Sequence, residues 1–336
     1  MAITRVWQSG FEANGLDSED EVSGISAGAS VTVSNAFANT GTYSMRVNSS
    51  HYFWQNVPAT TQVRAGMFFY IVGAITAGNL FQWHHAGAAL GQINSSAGGG
   101  LALYIGGVLK DTALGVLKEN KWMHLGLDAK RDGAAGWGTI YLDGVEILTF
   151  TGNTGAADIV KLQFGPASGS QTYWDDCFID DTSGEVDAIA PDKRFPYFRP
   201  DGIGNYSQQD LIPDTGEDNW EDVDEVPHDS DTSYVFATAL NERDTYTMAD
   251  YSLPSGATID AVIGYAYARK TNAGVATQLA LACRENATDA TGSDQDLATT
   301  YGAPLWERWT TAPDTDPWDE ATWNATEIGQ VGRGAF

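Results

Sequence analysis

Glu221-Asp222-Val223-Asp224-Glu225 packs four carboxylates into five residues and is the first place to look for acid–base chemistry. Glycoside cleavage uses two carboxyl groups facing one bond, and a strand turns alternate residues to the same side. As a strand, Glu221 and Glu225 would share a face with the apolar Val223, while Asp222 and Asp224 would face away. That arrangement is poor for catalysis, and a solvated acidic loop is the simpler expectation. The five histidines are His51, His84, His85, His124 and His228. Adjacent His84 and His85 would point to opposite faces of a strand and cannot close on one metal. His124, beside Trp122, is expected to be a structural histidine of a core strand. No Gly-x-Ser-x-Gly elbow is present, and Cys177 and Cys283 lie in apolar runs that predict buried free thiols. The sequence gives no positive argument for an enzyme.

The elements that would have to position such residues are strands. Ile3 to Trp7, Ser30 to Val33, Tyr43 to Val47, Val63 to Val72 and Leu101 to Ile105 are short runs rich in β-branched and aromatic residues. Trp122 to Leu127, Trp137 to Leu142, Val145 to Phe150, Val160 to Phe164 and Tyr173 to Ile179 continue the pattern. Asp143-Gly144, between two apolar runs, predicts a tight hairpin. Ser95 to Gly100 reads as a flexible loop, lacking the Lys and Ser/Thr of a phosphate-binding loop. Past Pro191 the composition changes: four prolines lie between Ala190 and Pro213, followed by an acidic stretch to Asp231. The reading is an N-terminal sandwich over residues 1–189, a Pro-rich acidic linker or arm over 190–231, and a second β-rich domain over 232–336. Asp319 and Glu320 predict the start of one short helix.

The chain has 18 Lys and Arg against 44 Asp and Glu, a formal charge of −26. A polyphosphate partner needs a basic footprint, so nucleic-acid binding is excluded. Ala65 to Gly78, the longest weakly polar segment, is too short to span a bilayer, and Met1 to Gly10 shows no secretory pattern, so membrane insertion is not expected. Eleven tryptophans and fourteen tyrosines exceed what two modest cores require. Such rings stack on sugar faces or fill subunit interfaces. Trp54 and Trp83, in the two densest aromatic clusters, and Trp306, Trp309, Trp318 and Trp323 near the C-terminus are the candidates.

Trp122-Met-His124-Leu-Gly-Leu127 and Trp137-Gly-Thr-Ile-Tyr141-Leu-Asp143-Gly144 resemble concanavalin A/laminin-G-like jelly rolls. Gly10-Phe11-Glu12, Gly41-Thr-Tyr43-Ser-Met-Arg46-Val47 and Trp174-Asp175-Asp176-Cys-Phe-Ile179 resemble the opening, second-strand and closing signatures of carbohydrate-binding jelly rolls. The run Asp175-Asp176-Cys-Phe-Ile-Asp180-Asp181-Thr-Ser-Gly184 also looks like the closing strand of jelly rolls in structural proteins of tailed bacteriophages. Later segments resemble the domain that follows in that group: Glu225 before Pro227, Asp231-Thr-Ser-Tyr234-Val, Ala268-Arg269-Lys270-Thr271, Ala273-Gly274, Asp316-Pro317-Trp318, Trp323-Asn324 and Glu327-Ile-Gly329. The acidic turn Asp314 to Asp319 departs from it. The resemblance implies an all-β fold, a jelly roll followed by a β-rich domain. It further implies a non-enzymatic virion protein on the outside of the particle (capsid decoration, neck, tail or fibre), in contact with other virion proteins and with copies of itself. Adhesion to a host surface glycan is a further expectation. The resemblance to carbohydrate-binding jelly rolls maps a structural Ca2+ onto Glu12 and onto Asp175 or Asp176. A lectin-like module that is not stably part of a particle is the alternative.

Overall fold

Short runs of β-branched and aromatic residues, cut by Gly, Asn and Ser, give strands because a pleated backbone accommodates their stiff side chains and packs them on two faces. The computed structural model describes residues 5–11, 22–26, 30–165, 170–180, 194, 196–213, 216, 218–225, 228–271, 277–301 and 304–334. Its chain divides into two units, Met1–Tyr197 and Phe198–Phe336.

The first unit is a sandwich of two antiparallel sheets. The first sheet runs, in spatial order, β13 (Val145–Gly152), β12 (Gly136–Leu142), β11 (Trp122–Lys130), β6 (Gln62–Val72), β15 (Gln171–Asp180), β4 (Ser44–Val47) and β3 (Val31–Ser34), with β1 (Arg5–Ser9) also on β15. The second runs β10 (Val108–Ala113), β9 (Gly100–Ile105), β8 (Ala88–Ser96), β7 (Gly78–His85), β14 (Ile159–Phe164), β5 (Phe53–Thr60) and β2 (Gly24–Ile25). Strands distant in sequence are neighbours in space, as in a jelly roll. Between the sheets Phe53 and Phe164 stack at 4.6 Å, Trp174 meets both edge-on, and Met45, Met67, Leu103 and Leu127 complete the core. The expected hairpin forms at Asp143-Gly144, with positive φ at both residues (50° and 80°) and an Asp143 carboxylate that accepts from His124 N–H at 2.8 Å. Ser95 to Gly100 is not a free loop: it closes the β8–β9 hairpin through Gly98 and Gly99 at φ 81° and 79°.

The second unit has a six-stranded sheet in the order β16 (Pro200–Ser207), β19 (Arg243–Met248), β25 (Thr326–Gly334), β21 (Thr277–Glu285) and β22 (Thr288–Thr291), with β23 (Gln295–Asp296) also on β21. Two ribbons accompany it, β17 (Asp210–Ile212) with β18 (Tyr234–Phe236) and β20 (Val262–Ala266) with β24 (Leu305–Trp309). The expected helix is α1 (Glu320–Asn324), N-capped by Asp319, whose carboxylate accepts from Thr322 N–H at 2.8 Å.

Two expectations need correction. The span 190–231 is not simply a linker: Pro200–Ser207, Asp210–Ile212 and a 3-10 turn at Asn219–Asp222 belong to the second unit. Its strands are short and partly exposed, so no apolar run announces them, and they are held by backbone pairing and by Asp244. That fully buried carboxylate accepts from the N–H groups of Gln208 and Gln209 and from Asn219 Nδ2. Glu221 and Asp222 lie in the 3-10 turn, with Glu221 tied to Asp218 N–H, so the acidic run is not a strand with alternating faces. Trp309, Trp318 and Trp323 are not contact rings either. They are 9%, 4% and 7% exposed and form the core of this unit with Val262, Leu281, Cys283 and Ile328. A small unit needs the area of large rings to close its core.

Candidate functional site

The second sheet of the first unit gathers seven residues from far-apart segments into one line across its strands. Strand pairing places Gly24 (β2) beside Trp54 (β5), Trp54 beside Gln163 (β14), Gln163 beside Gln82 (β7), Gln82 beside Gln92 (β8), Gln92 beside Tyr104 (β9) and Tyr104 beside Leu109 (β10). Neighbours in register on each strand, such as Phe53, Phe164, Phe81, Ile93 and Leu103, point into the core, so the line lies on the opposite face. From Trp54 to Tyr104 it spans four inter-strand steps, about 19 Å.

The middle of the line is a chain of amides. Gln163 Nε2 donates to Gln82 Oε1 at 3.0 Å, and Gln82 Nε2 donates to Gln92 Oε1 at 3.1 Å. His84, the next residue on that face of β7, places Nε2 3.1 Å from the same Gln82 Oε1. These bonds hold Gln82 still, at 8% exposure, while Gln92 and Gln163 are half-buried. Rings stand at both ends. A Cβ built at Gly24 would lie 2.2 Å from Trp54 Cζ2, so the indole lies across the β2 backbone where only glycine leaves room. Lys161, beside Asn56 and His84 in the adjacent line, holds Nζ 5.5 Å from the Trp54 ring centroid. A surface of fixed amides between two aromatic platforms can hydrogen-bond hydroxyl groups and stack on the apolar faces of rings.

Burial, and then the Lys161 ammonium, push the His84 imidazole down to about 4. A histidine whose folded value lies below its unfolded one keeps its full stabilising contribution above about pH 6.5 and loses it as the pH falls toward 4. With allowance for partial solvation, the loss is about 2 kcal/mol. Urea unfolding of wild type and His84→Gln at pH 7 and pH 4.5 checks this. The difference between the two proteins should narrow at the lower pH, and a constant difference would contradict the assignment.

The other residues singled out from sequence are scattered. Trp54 is on the line, but Trp83 is 1% exposed and points into the core, its indole lying over Gly91. Alternation along β7 turns Gln82 and His84 outward and Trp83 inward. Trp306 is 44% exposed on β24, opposite Tyr265 on β20, which is 43% exposed. Glu12 lies outside the described residues. Asp175 and Asp176 are both buried, because a register shift in β15 and an Asp176 φ of 45° let both reach the loop at residues 39–40. Asp175 accepts from the N–H groups of Asn39 (2.7 Å), Thr40 (3.2 Å) and Asp176 (2.7 Å). Asp176 accepts from Asn39 Nδ2 and Thr40 Oγ1, both at 2.8 Å, and Arg194 Nε stands 4.0 Å away. Calcium needs a shell of oxygen ligands, whereas these carboxylates are surrounded by hydrogen-bond donors. Among the described residues, which do not include Glu12, no group of three His, Cys, Asp or Glu could hold a metal. The amide line itself escaped sequence reading because its members share no local spacing.

No protein-family model matches the sequence, and no curated protein matches it. Several solved structures resemble it. "Cellulose induced protein, Cip1" is 17% identical over 53% of this chain and 98% of its own, at a TM-score of 0.41. Domain 4 of AbnA, a GH43 extracellular arabinanase from Geobacillus stearothermophilus in complex with arabinotriose, is 14% identical over 54% of this chain and 94% of its own, at 0.37. The binding domain of botulinum neurotoxin DC in complex with SialylT is 10% identical over 97% of this chain and 93% of its own, at 0.41. These are likenesses of β-architecture and carry no weight for function.

Proposed function

We propose that this chain is a non-catalytic glycan-binding protein and that the line from Trp54 to Tyr104 is the surface that meets the glycan. The observation that carries the reading is the Gln163–Gln82–Gln92 amide chain, fixed by its own hydrogen bonds between two aromatic rings on a face turned away from the core. Pre-ordered amides bind hydroxyl groups without the entropy cost of ordering long side chains at the moment of contact. Binding of the full chain to an array of polysaccharides and oligosaccharides, followed by calorimetry on the best ligand, tests the proposal. Trp54→Ala should weaken binding about tenfold, the worth of a lost stacking platform. Trp306→Ala in the second unit should leave binding unchanged. Equal affinity of wild type and Trp54→Ala, or no bound glycan at all, would sink it.

The setting we propose is the exterior of a tailed-phage particle, where the protein is a homo-oligomeric component in contact with other virion proteins. The support is the resemblance carried by Asp175 to Gly184 and by the segments from Glu225 to Gly329. Mass spectrometry of purified particles and antibody labelling of the first unit on intact particles decide it. Absence from the particles leaves the free lectin-like module.

A further inference from the structure

Charge is distributed very unevenly over the first unit. The strands of its first sheet carry five carboxylates, Asp128, Glu146, Asp175, Asp176 and Asp180. The seven strands of its second sheet carry one, Asp111, on the edge strand β10. Asp111 is turned off the amide face: one oxygen accepts from its neighbour Thr112 N–H, and the other reaches Thr149 N–H of the opposite sheet at 3.0 Å. In a chain of net charge −26, the described strand residues that form the amide face therefore offer a ligand no carboxylate. It offers instead one cation beside its best stacking ring, Lys161 next to Trp54. The row neighbours of Lys161 are Asn56 and His84, and no ion pair joins it to a carboxylate among the described residues.

Hydroxyl recognition alone does not call for this pattern, because carboxylates are good acceptors for sugar hydroxyls. A ligand that brings its own carboxylate does call for it. Such a ligand would be repelled by an acid on the face and attracted by an ammonium with no competing anion. The rest of the protein's charge matters less at contact, since a screening length of about 8 Å at physiological salt leaves the nearest groups in control. Lys161 Nζ stands 5.5 Å from the indole centroid, within reach of a carboxylate carried by a sugar ring that packs on Trp54.

We infer that the glycan bound on this face is an acidic one, a chain of carboxylate-bearing sugars, with Lys161 pairing a carboxylate of the ring that stacks on Trp54. The inference rests on the glycan-binding reading above and adds the chemical class of the ligand.

The test holds the sugar constant and changes only its charge. Oligogalacturonate and its fully methyl-esterified form are titrated into the full-length protein, beside an array that pairs other uronate and sialylated glycans with their neutral counterparts. The expected result is at least tenfold tighter binding of the charged member of a pair, lost in Lys161→Gln and retained in Lys161→Arg. Charged and neutral members bound equally, or a preference that survives Lys161→Gln, would overturn the inference and leave glycan binding standing, provided Trp54→Ala still weakens it. Absence of binding to every charged and neutral glycan would overturn the inference together with the reading beneath it.

Discussion

Trp174→Ala should destabilise the first unit by about 3–5 kcal/mol, the usual loss when a buried large aromatic is cut to alanine and leaves a cavity. Trp174 has no exposed surface and packs against Phe53, Phe69 and Phe164 at 6.3, 5.7 and 5.7 Å. Its indole N–H also donates to Thr172 Oγ1 at 3.1 Å, a buried bond whose loss leaves that hydroxyl with only its 3.5 Å bond to Val47 O. The phenylalanines it touches come from both sheets, so the cavity would open where the two halves of the sandwich meet. Calorimetry of the full chain reads the effect, with Trp306→Ala as the control. That exposed residue should cost less than about 0.5 kcal/mol. A loss below about 1 kcal/mol for Trp174→Ala would contradict the packing described.

The second large effect concerns Asp175. Burial, and then the neighbouring Asp176 charge, raise its carboxyl to about 8, while the N–H groups of Asn39, Thr40 and Asp176 oppose the shift. A carboxyl with a folded value above its unfolded 3.8 binds its proton more tightly in the folded state. Its contribution is complete below about pH 4 and is lost as the pH rises toward 8. The first unit should therefore lose stability between pH 6.5 and 8, by about 1–2 kcal/mol. Over most of that window His84 is neutral in both states, so its contribution to the slope is small. Asp175→Asn should flatten the slope, and an unchanged slope would remove Asp175 as its source. Asp175→Ala should also free the loop at Asn39 and Thr40, which hydrogen exchange of those two amides would register.

Much of the fold was legible because strands advertise themselves locally. The Asp143-Gly144 turn is specified by two residues that tolerate positive φ, and Asp319 caps its helix through its own side chain. What stayed hidden depends on which way an alternating strand faces. The cluster Phe81-Gln82-Trp83-His84 suggests a surface ring, yet the strand turns Trp83 inward and leaves Gln82 and His84 to the other side. The C-terminal tryptophans misled for a related reason, since a small unit spends its largest rings on its own interior. Asp175 and Asp176 were singled out from sequence, but the bulge that brings them together cannot be seen in the order of residues. The amide line was the least legible, because residues 54, 82, 92, 104 and 163 become neighbours only through pairing between strands.

The hydrogen bonds along that line all run the same way, from Gln163 to Gln82 to Gln92. Its two ends are consequently unlike. Gln163 Oε1 is left to accept near the indole, and Gln92 Nε2 is left to donate near the tyrosine. A polymer has a head and a tail as well, and turning one end for end exchanges its donors and acceptors. If the face binds a glycan as proposed, a surface with such a grain would distinguish the two orientations of the same chain. Every copy of the protein along one strand of polymer would then face the same way, as though threaded on an arrow.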